Sequence, residues 1–237
     1  MEKVQSRGLR MVLETVALVA IALLLAVVVK ILFVQAFYIP SSSMKPGLVK
    51  NDRILVQKVS YWFGGSPGRG EVVVFEDPGG WLAGAQSAGP TSPLPKALAK
   101  IGLYPTGGHL VKRVVGIEGD VIECCDQDGR LEVNGVALEE DDFIEPQRTC
   151  DGPMPGTCDW TAGPVPEGYL FVMGDNRDGS ADSSARLCSP DRRSCEVDDT
   201  YVATDLVVGK VFALVWPLSN FDFIGTPDVF DDVPDAG

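Results

Sequence analysis

Val16 to Val29 is an unbroken apolar run, and the pattern resumes beyond Lys30 with Ile31 to Val34. A bilayer core takes about 20 helical residues at about 1.5 Å each. The stretch between Glu14 and Lys30 is too short alone. Adding Met11 to Leu13 and Ile31 to Val34 gives enough, with Glu14 near one interface and Lys30 snorkelling to the other. Phe33, Phe37 and Tyr38 then fall at the exit surface, where aromatic rings are favoured. Lys3, Arg7 and Arg10, opposed before the run only by Glu2, keep residues 1–10 cytoplasmic. The expectation is a single-pass plasma-membrane anchor over residues 11–35, with everything after it extracytoplasmic. A cleavable leader would share the basic start and apolar core. Here the core is long, and no clean small-x-small site precedes the bulky Phe37-Tyr38. Either reading delivers the body of the chain outside.

The chain carries a formal charge of −13; its first 37 residues hold four basic and two acidic side chains, which leaves −15 for the rest. Such a body avoids nucleic acid and anionic headgroups, so membrane lipid is met through the N-terminal helix. The acidity itself reads as solubilising surface. All six cysteines (Cys124, Cys125, Cys150, Cys158, Cys188 and Cys195) lie beyond the apolar run, where an oxidising compartment favours disulfides. Cys188 and Cys195 bracket a short polar loop and are the favoured pair. Cys124 and Cys125 are adjacent, and a vicinal ring is strained, so partners such as Cys150 or Cys158 are expected for them. With one histidine and no paired Cys-x-x-Cys, neither a metal nor a cofactor is expected.

Beyond Tyr38 the chain reads as β structure. Short Val-rich runs recur between turn signals at 53–59, 71–75, 109–116, 121–122, 130–133, 169–173 and 206–216. Asn134-Gly135 is a strong hairpin signal. A convincing long helical period is missing here, with Pro95 to Ile101 the nearest approach. The expected fold is mainly β: one body over residues 36–226 built of closed or heavily coiled sheets. Two Pro- and Gly-rich stretches, 78–108 and 146–166, read as insertions, and the acidic segment 227–237 as a disordered tail.

A serine hydroxyl needs a base before it can attack a carbonyl. The sole histidine, His109, and the nearby Lys112 are rivals for that role. A free lysine titrates near 10.4, which leaves fewer than about one in a thousand as free amine at pH 7. Burial without a counter-ion can lower that value by roughly 3–5. Alternation along the strand puts Leu110, Lys112 and Val114 on one face and His109, Val111 and Arg113 on the other. Lys112 is thus flanked by apolar neighbours, whereas His109 starts the strand and reads as a surface residue. The bland reading of Lys112, a lysine snorkelling from an edge strand, stands beside the catalytic one.

Several segments, in order, resemble the conserved boxes of type I signal peptidases. Pro40-Ser41-Ser42-Ser43-Met44-x-Pro46 is similar to the nucleophile box, in which the serine before methionine attacks. Asn51 to Val56 and Arg69 to Phe75 resemble the strands that follow, and Lys112-Arg113-Val114-Val115-Gly116 through Gly119-Asp120 the general-base box. Gly174-Asp175-Asn176-Arg177-Asp178-Gly179-Ser180-x-Asp182-Ser183 resembles the box whose serine bonds the lysine, and Val208 to Lys210 and Trp216 to Ser219 continue the likeness. The resemblance implies Ser43 as nucleophile and Lys112 as base. It implies that Ser180 orients the amine, that the Ser43 backbone N–H and Ser41 hydroxyl hold the oxyanion, and that Asp182 and Arg113 form a supporting ion pair. The implied substrates are preproteins emerging from the export machinery, cut after Ala-x-Ala. Tyr61-Trp62-Phe63 or Trp81-Leu82 would dip into the lipid interface or pack in the core.

There are departures. Gly47 stands where threonine is common, Glu71 where aspartate is usual, and Arg186 lies two positions beyond the arginine expected after Asp182-Ser183. Two rivals share parts of this pattern. A self-cleaving Ser-Lys regulator would need a DNA-binding domain in place of the apolar run. A membrane-anchored β module that only binds would leave the serine and lysine boxes unexplained.

Overall fold

The computed structural model describes residues 2–82, 92, 108–145, 159–188 and 196–236. Helix α1 runs from Glu2 to Phe33. Its segment Arg10–Val28 is buried nowhere against the rest of the chain and is long and apolar enough to cross a bilayer. The helix stops before the expected residue 35 because the sheet takes over. The Lys58 N–H donates to the Phe33 carbonyl at 3.0 Å, and from Val34 onward the backbone pairs with a neighbouring strand.

The strands are β1 (Val34–Tyr38), β2 (Arg53–Gln57), β3 (Val72–Glu76), β4 (His109–Gly116), β5 (Ile122–Cys124) and β6 (Glu132–Val133). They continue with β7 (Val136–Ala137), β8 (Trp160–Ala162), β9 (Tyr169–Met173), β10 (Val202–Ala203), β11 (Val207–Trp216) and β12 (Asp222–Phe223). One antiparallel sheet has the order β1-β2-β11-β3-β4-β9-β10, with β12 added to β11; a smaller one has the order β7-β6-β5-β8.

The large sheet is strongly coiled. Strand β11 shifts register against β2 between Val211 and Ala213 and again between Leu214 and Trp216, and such bulges bend a strand and increase its twist. In a flat sheet, β1 and β4 would lie about 19 Å apart at about 4.8 Å per step. Instead the rings of Phe37 and His109 come within 5.3 Å of each other. Both faces of the sheet are therefore covered. Val72 and Val74 of β3 pack with Ile54, Val56 and the apolar residues after β1, while Val73 and Phe75 pack with Leu110, Val114 and Val172. This explains why β3 reads as a continuous apolar run and not an alternating one.

The small sheet contains the anticipated hairpin: Asn134 and Gly135 both take positive φ, 52° and 77°, at the turn between β6 and β7. Two expectations are corrected. The stretch 146–166 is not all insertion, because its end forms β8, which pairs with β5 and buries Trp160, Ala162 and Val165. The segment from Pro227 is packed onto the body through buried Phe230 and Val233, and the Arg69 guanidinium donates to the carbonyls of Val233 and Pro234. Its acidic residues masked two apolar anchors. Trp81 is likewise core, edge-on to Phe75, whereas Trp62 is partly exposed beside Phe33 at the end of α1. Most of 78–108 and 146–158 lies outside the described residues, as do Cys150, Cys158 and Cys195, on which the expected disulfides depend.

Candidate active site

The serine cluster follows β1 directly and is pinned from both sides. Ile39, Met44 and Leu48 bury their side chains in the core beneath it. The backbone closes over them through Leu48 N–H to Met44 O at 2.9 Å, Asn51 N–H to Ile39 O at 2.9 Å and Val49 N–H to Asp52 Oδ2 at 2.7 Å. Of the three serines, Ser43 is buried while Ser41 and Ser42 are exposed. The Ser43 N–H donates to no group among the described residues.

Strand β4 delivers the lysine. It pairs with β3 through Val73↔Lys112 and Phe75↔Leu110, so Lys112 rises from a face of Val73, Phe75, Leu110 and Val114. The side chain is 4 % exposed, and its Nζ lies 2.6 Å from Ser43 Oγ. Ser41 Oγ is 3.2 Å from the same Ser43 oxygen. Desolvation dominates the titration of Lys112 and pushes it down to about 8, although the charges of Asp182 and Asp175 oppose that shift. At pH 7 roughly one amine in ten is then neutral, roughly two- to three-hundredfold more than for a free lysine. The rival base, His109, is half-buried at the start of β4 against Phe37.

The third wall is the loop 174–184. Asn176 donates its N–H to Ser43 O at 3.0 Å and its Nδ2 to Ser42 O at 3.1 Å, tying this loop to the serine loop. The approach is close enough to require Gly174: a Cβ there would collide with Ser43 O and with Ser180 Oγ. Ser180 is thus beside the pair, buried, and its hydroxyl has no hydrogen-bond partner among the described residues.

The expected Arg113–Asp182 ion pair is not formed. Arg113 grips Asp175 with two hydrogen bonds, Nε to Oδ1 at 2.8 Å and Nη2 to Oδ2 at 2.7 Å. Asp182 instead accepts from Gly174 N–H at 2.8 Å, Ser184 N–H at 3.1 Å and the Ser184 hydroxyl at 2.7 Å. The displaced Arg186 donates to the Trp81 carbonyl and lies over the Trp81 ring. Ser184 therefore fills hydrogen-bonding capacity around Asp182 that an arginine could have met. Sequence reasoning missed two further supports. Arg177, buried, forms a two-pronged pair with buried Glu140 at 2.6 and 2.8 Å, and donates to Gly174 O at 3.1 Å. Glu140 was hidden in the run Glu139-Glu140-Asp141-Asp142, which composition alone assigns to surface.

A hydroxyl, an adjacent largely desolvated amine, a free backbone N–H and a second hydroxyl converge here, and that set can perform acyl transfer. Comparison with known proteins points the same way. Residues 12–216 match the family described as Signal peptidase, peptidase S26. The chain is similar to Signal peptidase I of Mycobacterium tuberculosis, with 37% identity over 227 residues covering 89% of this chain and 74% of that protein. It is also similar to the Probable signal peptidase I of Mycobacterium leprae, 34% identical over 230 residues, 90% of this chain and 79% of that one. Signal peptidase I of Leptolyngbya laminosa is 28% identical over 215 residues, covering 91% and 85%. Matched to the family over residues 12–216 and similar to these relatives over most of its length, the chain belongs to the signal peptidase family S26.

Proposed function

We propose that this chain removes signal peptides from exported preproteins by a Ser43–Lys112 dyad. The observation that carries the reading is the 2.6 Å contact between a buried lysine amine and a serine hydroxyl, with no carboxylate bonded to that amine among the described residues. Neutral Lys112 takes the Ser43 proton as Oγ attacks the scissile carbonyl, forming the C–O bond and placing negative charge on the carbonyl oxygen. The Ser43 N–H and the Ser41 hydroxyl hold that oxyanion. Collapse expels the amine of the mature protein, which takes the proton from the Lys112 ammonium and leaves an acyl-enzyme. Water, deprotonated by Lys112, then attacks the ester, and the released Ser43 oxygen recovers the proton. Ser180, beside the pair, orients the amine as Lys112 changes partners.

The substrate is an extended segment with small residues around the cut, Ala-x-Ala in pattern. Apolar α1 is the single-pass anchor, with residues 1–10 on the cytoplasmic side and the β body outside. Ser43 stands ten residues past Phe33, where α1 ends, so the site is held near the surface where a preprotein emerges. Exposed Trp62, Trp216, Phe221 and Phe223 suit a body resting against the lipid interface.

The test is cleavage of a signal-peptide-bearing preprotein by the detergent-solubilised chain, with the new N-terminus read by mass spectrometry. Wild type is expected to cut after a small-x-small site. Ser43→Ala and Lys112→Ala, folded by circular dichroism, are expected to lose at least about a hundredfold in rate. Undiminished cleavage by either variant would refute the dyad.

A further inference from the structure

The Arg113 guanidinium, next in sequence to the proposed base, is held by three groups. These are the Asp175 carboxylate, the Gly70 carbonyl at 2.8 Å, and the ring of Phe143, whose centroid lies 4.6 Å from Arg113 Cζ. Two of the three are backed by one side chain from the far end of the chain. The Phe230 ring centroid is 6.4 Å from that of Phe143, and Phe230 presses so closely on Gly70 that a Cβ at residue 70 would overlap it. On the other side, Asp175 continues directly into the clamp on the nucleophile: its carbonyl accepts from Glu145 N–H at 2.8 Å, and the next residue, Asn176, bonds Ser43 O.

We propose that Phe230 is a positioning residue for the reaction: through Phe143 and Gly70 it keeps Arg113 locked on Asp175 beside Lys112. The inference rests on the dyad reading above and extends it to the C-terminal segment, which contributes no group to the chemistry itself. The charged groups around Lys112 define the consequence. Asp182 and Asp175 both favour its protonated form, Arg177 is engaged by Glu140, and Arg113 is the cation bonded to Asp175. With Phe230 truncated, Arg113 loosens, Asp175 is left less neutralised, and the lysine holds its proton more tightly. The Asn176 clamp on Ser43 loosens with it.

The experiment compares full-length Phe230→Ala, Phe230→Leu and Val233→Ala with wild type, reading preprotein cleavage across pH. Val233 is the control because it lies on the same segment and is similarly buried, yet is not among the groups that hold Arg113. Phe230→Ala is expected to move the acidic limb of the kcat profile upward by about one pH unit, about a tenfold loss at pH 7. KM should change little, Phe230→Leu should restore most of the rate, and Val233→Ala should leave the profile in place. If Phe230→Ala does not fold, Phe143→Leu, which removes the ring over Arg113 at similar volume, must shift the limb in the same direction. An unmoved limb in the folded variant, or equal shifts for Phe230→Ala and Val233→Ala, would overturn the proposal. Titration of Lys112 by lysine 13Cε NMR separates this failure from failure of the dyad, since it reads the amine even in a chain that cleaves nothing.

Discussion

Two parts of this molecule bury cations to nearly the same depth and treat them in opposite ways. In the loop 174–184 and the strands around it, Arg113 and Arg177 are 5 % and 6 % exposed, and each meets a carboxylate through two hydrogen bonds. A few ångströms of backbone away, Lys112 is 4 % exposed, and among the described residues its amine bonds only a hydroxyl. The paired arginines hold the loop; the lysine, with no carboxylate bonded to its amine among the described residues, is pushed toward neutrality. Burial alone does not make a base. Burial without a bonded counter-ion does, and the nearby carboxylates are kept occupied: Asp175 by Arg113, Asp182 by two backbone N–H groups and Ser184.

The contrast can be broken from the paired side first. Glu140→Gln strands Arg177 without its anion, and losing one partner of a buried pair costs about 3–5 kcal/mol. Urea unfolding should register that loss, and cleavage should fall with it because Arg177 also holds Gly174 O. From the other side, Lys112→Met should stabilise the fold while ending cleavage. Lys112 titrates near 10.5 when unfolded and at about 8 when folded, so folding disfavours its charged form. Below pH 8 both states are protonated and the full cost applies, about 3 kcal/mol. Wild type regains that stability as pH rises from 8 to 10.5, and the advantage of Lys112→Met should vanish over the same interval in denaturant melts. The smallest effect expected is for Ser184→Ala. It removes one of three donors to Asp182 and should cost about 1 kcal/mol, with an accompanying small rise in the Lys112 titration point as the carboxylate is less occupied.

What the sequence makes legible here is local. The run His109–Gly116 is strand β4 end to end, and Asn134-Gly135 turns the hairpin, because period-two alternation and positive φ are properties of neighbouring residues. The lysine face was readable for the same reason. Pairing across distance was not. Arg113 and Asp175 are 62 positions apart, and Arg177 and Glu140 are 37 apart. No periodicity links them, so Asp182 was matched to the wrong partner and Glu140 to solvent. The C-terminal segment failed differently: Val229, Phe230 and Val233 stand amid aspartates, too few to outweigh composition, yet all three pack into the core of the folded body. The choice among Ser41, Ser42 and Ser43 rested on family likeness, since chemistry cannot rank adjacent hydroxyls. In the structure, Ser43 is the one bonded to the lysine.

The central claim, that Lys112 works because it is buried without a bonded anion, is tested most directly by titrating that amine and the reaction together. Lysine 13Cε NMR on the detergent-solubilised chain, with Lys112→Met to assign the resonance, should place the Lys112 midpoint at about 8. With the neutral amine as the proposed base, kcat for preprotein cleavage should rise with pH through the same midpoint. A Lys112 midpoint near 10.5, or cleavage whose pH dependence ignores it, would contradict the account.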